Sequence, residues 1–141
     1  LTRAGFAVEV SNSIQRVAWY KLWGNMTMNP VSAITGADSQ QILSDPQLRD
    51  FLSAIMVEAN EIGAHLGLRI DEEPESRHKV TARLGPFKTS MLQDAQAGKP
   101  LEIDALVTVV RDLGRQLNVP TPHIDALLGM VRVFARAQGL A

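Results

Sequence analysis

Lys21 and Asn25 stand one helical turn apart, and Asn29 follows a turn later. At about 100° per residue, Ile14, Ala18, Lys21, Asn25 and Met28 form one narrow stripe, with Val17 and Asn29 beside it. The opposite side carries Trp19, Leu22, Trp23 and Met26, and only a thin band around Ser13, Arg16, Tyr20 and Thr27 reads as solvent-directed. A helix apolar on two sides is expected to be buried, so packing alone would make the middle of that stripe aliphatic. An ammonium with three donors, beside amides that both donate and accept, suits a small anion or a carbonyl oxygen. Burial would also make such an ammonium a readier proton donor near neutrality. A plainer role fits the same residues: Lys21 can lay its stem along apolar surface towards water, and Asn25 can bond neighbouring backbone.

A second set of polar residues lies at Ser90-Met91-Leu92-Gln93-Asp94. Ser-x-x-Gln has the pattern of a capping box, with Ser90 as N-cap to the amide of Gln93. A hydroxyl at a helix N-terminus is also a place for a carboxylate or phosphate. Glu102 lies twelve residues after Ser90, in Leu101-Glu102-Ile103-Asp104, which opens another helix behind Pro100. Glu102 and Asp104 there complement the helix dipole, and one of them could pair with Lys21 across the fold. His65, His78 and His123 have no ligand spacing and read as surface or core fillers; Asp71-Glu72-Glu73 reads as a solvated loop.

The elements that must position these groups are helical. The first helix is expected from Asn12 or Ser13 to about Met28, where Asn29-Pro30 predicts an end or a kink. A short piece follows over 37–43, and Asp45-Pro46 supplies an N-cap and a first-turn proline for a helix reaching Gly67. Further helices are expected from Pro74 to Leu84 and from Ser90 to Ala97. The next buries Ile103, Leu106, Val110, Leu113 and Leu117, and the last carries the stripe Ile124, Leu127, Leu128, Val131 and Phe134. Only Ala4-Gly5-Phe6-Ala7-Val8-Glu9-Val10 alternates like a strand, and it has no sheet to join. Residues 1–11 therefore read as an extended leader left from a preceding domain, and residues 12–141 as an all-α domain.

Composition narrows the chemistry. The 141 residues include no cysteine, which excludes thiol nucleophiles, disulfides and thiolate-bound zinc. A net charge of −1 argues against a nucleic-acid grip. No apolar run approaches a membrane span and no signal peptide opens the chain, so a cytoplasmic setting is expected. No Gly-x-Gly-x-x-Gly and no phosphate-binding lysine loop occurs, so these residues cannot bind a dinucleotide in the usual way. No metal site is expected. The chain begins with Leu1, which points to a piece of something longer.

Two strings carry a resemblance. Trp19-Tyr20-Lys21-Leu22-Trp23-Gly24-Asn25 with Asn29-Pro30-Val31-Ser32-Ala33 resembles the W-x-K-L-x-x-N-x-x-x-N-P-x-[ST]-A pattern of the 2-dehydropantoate 2-reductase (ketopantoate reductase) family. Ser90-Met91-Leu92-Gln93-Asp94 with Glu102-Ile103-Asp104, and Val119-Pro120-Thr121-Pro122, are similar to further segments of the same family. The resemblance implies the multi-helix C-terminal domain of the ketopantoate reductase / 6-phosphogluconate dehydrogenase C-terminal-like type. It also implies a separate Rossmann domain for NADPH, absent here. Catalytic roles would fall on Lys21, as general acid at the ketone, and on Glu102, which would bond the substrate hydroxyl and position the lysine. Asn25 and Asn29 would shape the substrate pocket and Ser90 would help hold the substrate carboxylate. The implied partner is a small 2-keto acid, 2-dehydropantoate in pantothenate biosynthesis. Gly36-Ala37-Asp38-Ser39 and Phe87 depart from the pattern of some members and leave room for a different 2-keto acid. A non-enzymatic helical interaction module is the alternative from another class. A homodimer could form through apolar helices such as 124–134.

Overall fold

The computed structural model describes the backbone from Thr2 to Ala141 and side chains from Ile14 onward. Among the described residues every regular element is helical. The helices are α1 (Thr2–Thr35), α2 (Ser39–Ser44), α3 (Pro46–His65), α4 (Pro74–Arg83), α5 (Ser90–Gln96), α6 (Val109–Gln116) and α7 (Pro122–Ala137), with a π-helical turn at Asp104–Thr108 just before α6. The all-α reading of the sequence therefore stands.

The extended leader does not. From Thr2 the backbone is already part of α1, which crosses position 12 without a break. A strand without a sheet would leave its N–H and C=O groups unpaired, whereas a helix pairs them within itself. The expected stop at Asn29-Pro30 is also overridden, because α1 continues through Pro30 to Thr35. A proline inside a helix costs about 3 kcal/mol. Here every residue from Met26 to Ala33 is buried, and that packing outweighs the lost backbone bond.

Burial on α1 changes along its axis more than around it. Ile14 and Val17, near its start, are 60 % and 67 % exposed, whereas Thr27, further along, is only 2 % exposed. The expectation of a buried Lys21 and an outward Thr27 fails for this reason. Trp23, buried, donates from Nε1 to the Met56 carbonyl at 2.8 Å and so pins α1 to α3. Ile55, Met56, Ala59 and Ile62 of α3 join Val107, Val110, Ile124, Leu127 and Val131 in one core.

Helix starts follow local chemistry. Asp38 caps α2 through a reciprocal capping box with Gln41, and Asp45 caps α3 by accepting from the Leu48 amide at 3.0 Å. The α5 cap is Thr89, not Ser90: its Oγ1 accepts from the Leu92 amide at 3.1 Å. At α7 a side chain from another helix does the capping, as the Glu58 carboxylate accepts from the His123 and Ile124 amides at 2.8 and 3.0 Å. The apolar stripe of α7 faces this core, leaving Met130 and Val133 as its exposed apolar residues.

Candidate functional site

A cleft of about 310 Å³ opens between α1 and α4, with Leu52 and Met56 of α3 and Phe87 also on its lining. Asn25 and Asn29 both line it from successive turns of α1. Asn29 is buried, 8 % exposed, and Asn25 is half-buried. Lys21 lies one turn before Asn25 and is exposed to solvent, between Tyr20 and Gly24, which also line the cleft. Lys21 itself is not among the residues that line the cleft.

Helix α5, none of whose residues lines the cleft, is tied directly to α1. The buried Ser32 hydroxyl, one turn after Asn29, lies 2.5 Å from the Thr89 hydroxyl and also donates to the Asn29 carbonyl at 2.8 Å. Thr89 in turn caps α5, so Ser90, exposed on the first turn, is held beside the Asn29 segment. The capping job that the sequence pattern gave to Ser90 is done by its neighbour, and the Ser90 hydroxyl makes no hydrogen bond among the described residues.

Glu102 is exposed, two residues before the π-helical turn. There the Val109 amide reaches back to the Asp104 carbonyl, the wider ring that defines such a turn. The Thr108 hydroxyl bonds the Asp104 carboxylate at 2.8 Å, and the Leu101 amide donates to the Leu140 carbonyl at 3.1 Å. Glu102 is therefore flanked by two fixed points, while Lys21 and Glu102 form no ion pair among the described residues.

Sequence reasoning missed the α4 wall. Arg77 lays its guanidinium over the Tyr20 ring, 4.4 Å from the centroid, and donates from Nη1 to the Tyr20 carbonyl at 3.0 Å. His78, 3 % exposed, bonds Ser53 through Nε2 at 2.9 Å. Burial, helped by the cations Arg49 and Arg77, holds His78 below the ordinary imidazole range, so it is neutral at pH 7. Among the described residues no carboxylate lines the cleft. The one available signal for this wall was Gly24, a glycine in mid-helix that no turn explains.

A family model described as "Ketopantoate reductase PanE/ApbA C terminal" matches residues 13–135. The chain belongs to this family. A 2-dehydropantoate 2-reductase of Mesorhizobium japonicum is 43 % identical over 139 residues, which span 99 % of this chain and 43 % of that protein. The crystal structure of a Ralstonia solanacearum MolK2 protein assigned to the ketopantoate reductases superposes with a TM-score of 0.86 at 55 % identity, covering 91 % of this chain and 39 % of the other. That of 2-dehydropantoate 2-reductase from Methylococcus capsulatus gives 0.83 at 28 % identity, over 91 % and 45 % of the two chains. The chain thus spans less than half the length of these three relatives, and it corresponds to their helical C-terminal domain. Among its described residues, no helix is long and apolar enough to cross a membrane.

Proposed function

We propose that this ketopantoate reductase C-terminal domain is the substrate-binding and catalytic part of an NADPH-dependent 2-keto acid reductase acting on 2-dehydropantoate. The observation that carries this reading is the alignment of Lys21, Asn25 and Asn29 on successive turns of one helix. The last two face a cleft that offers amides and no carboxylate to an incoming carboxylate. The residues of this chain do not suit a dinucleotide: the sequence lacks a Gly-rich phosphate loop, and no strand precedes a helix among the described residues. The nicotinamide would be held by another domain, and it would supply the hydride.

The roles follow from chemistry. Asn25 and Asn29 orient the keto acid in the cleft, and Ser90 takes part in holding its carboxylate. Lys21, hydrated at the rim in this chain alone, holds on Nζ the proton that the carbonyl oxygen takes up. Glu102 orients that ammonium and accepts the substrate hydroxyl when the two elements are brought onto a ligand. A homodimer formed through α7 would use Met130 and Val133, because the stripe expected for it is consumed by the core.

The test is a panel of 2-keto acids offered with NADPH to the two-domain protein that carries this chain. Reduction of 2-dehydropantoate above the other keto acids, lost in Lys21→Ala with nucleotide affinity kept, supports the reading. Turnover that survives Lys21→Ala overturns the role of the lysine. No turnover with any 2-keto acid overturns the reductase assignment.

A further inference from the structure

Gly24 stands in the middle of the unbroken helix α1, where alanine would suit the helix better. A Cβ at this position would lie 2.4 Å from Nη2 and 2.6 Å from Cζ of Arg77. The glycine is therefore a seat: it lets the guanidinium cross α1 in contact with backbone. Nη1 is engaged by the Tyr20 carbonyl, and the ring face of Tyr20 supports the cation. Among the described residues the Tyr20 carbonyl is the one acceptor bonded by Arg77 and no carboxylate is ion-paired with it, although Glu72 and Arg77 both stand beside the Tyr20 hydroxyl. With His78 neutral, Arg77 is the only formal charge lining the cleft among those residues.

A cation held in place by a purpose-made gap, facing a cleft free of carboxylates, is arranged for an anion. We infer that Arg77, seated on Gly24, is a specificity-determining residue that takes a carboxylate of the substrate on its Nη2 and Nε donors. The planar fork matches a carboxylate with two parallel bonds, which a lysine could not do. This inference rests on the reductase reading for its substrate class, a 2-keto acid. The carboxylate could be the one next to the ketone or a second one in the tail, and the two are separable by experiment.

The variants are Arg77→Gln and Gly24→Ala. The second keeps the arginine but puts a methyl group where its guanidinium sits, and because alanine favours helix the fold should hold. In the two-domain protein, 2-oxoisovalerate and 2-oxoglutarate are compared as monocarboxylic and dicarboxylic substrates. Both variants are expected to raise KM about 10- to 100-fold with kcat nearly unchanged, the loss of one charge-assisted contact. A rise for both substrates assigns Arg77 to the carboxylate beside the ketone; a rise for 2-oxoglutarate alone assigns it to the tail. KM unchanged for both substrates in both variants, with normal circular dichroism, overturns the inference. Calorimetric titration of this chain with the same two acids separates this from the reductase reading. Binding weakened in Arg77→Gln supports the anion site even if no keto acid is reduced. Absent binding, or binding equal in wild type and Arg77→Gln, overturns it while leaving the reductase question to turnover.

Discussion

Ser32 on α1 and Thr89 before α5 are 57 residues apart in sequence, and their hydroxyls meet at 2.5 Å in a buried contact. One hydrogen bond thus fixes the helix that carries Lys21, Asn25 and Asn29 relative to the turn that carries Ser90. Each hydroxyl has a second local partner, the Asn29 carbonyl for Ser32 and the Leu92 amide for Thr89.

Ser32→Ala should remove this tie and leave the Thr89 hydroxyl short of a partner. A loss of about 1–3 kcal/mol is expected. Denaturant titration measures it; a midpoint unchanged from wild type would show that the two helices are held by apolar packing alone.

Lys21→Ala in the two-domain protein should lower kcat about 10²–10⁴-fold if Nζ delivers the proton to the carbonyl oxygen. Glu102→Gln tests the second role through a double-mutant cycle. If Glu102 acts by orienting Lys21, the double variant should be little worse than Lys21→Ala alone. Fully additive losses would separate the two residues.

His78 supplies a pH dependence. Its folded form resists protonation because it is buried, with Arg49 and Arg77 adding to the effect. Between its lowered folded value and the ordinary imidazole value, the unfolded chain binds more protons than the folded one, so stability rises with pH across that window. Tm should fall as pH is taken from 7 down through 6 towards the lowered value, and level off below it so far as His78 is concerned. His78→Gln should flatten this part of the curve, whereas an identical slope in the variant would place the dependence elsewhere.

Two glycines should respond oppositely to alanine. At Gly24 the obstructing atoms belong to the end of a flexible arginine, but at Gly63 they are Nε1 and Cε2 of Trp19, at 2.4 and 2.9 Å, with the Leu68 carbonyl at 3.2 Å. Trp19 is buried and cannot move aside. Gly63→Ala should cost about 1–3 kcal/mol by overpacking, and thermal melts beside Gly24→Ala would show the contrast.

The helices after Thr35 could be read from the sequence because their signals are local. Asp45-Pro46 and Pro74 each open a helix at the start expected for it. Pro30 could not be read this way. Its local cost is real, but long-range packing against the core decides the outcome. The Lys21–Asn25–Asn29 line was visible as a periodicity, yet periodicity gives direction around an axis and not depth along it. Arg77 escaped notice because its significance lies in what stands 53 positions earlier, at Gly24. No spacing rule connects two helices that meet only in the folded chain.

The bond from the Leu101 amide to the Leu140 carbonyl also bears on how the protein is handled. Leu140 is buried, so proteolytic trimming after Gly139 would remove both an acceptor and an apolar plug from beneath the Glu102 segment. A preparation clipped there would keep its helical spectrum and its cleft, while the segment of backbone presenting Glu102 swung loose. In the two-domain protein, loss of activity on storage would then show first as a cut after Gly139 in intact-protein mass spectrometry, before any change in fold could be seen.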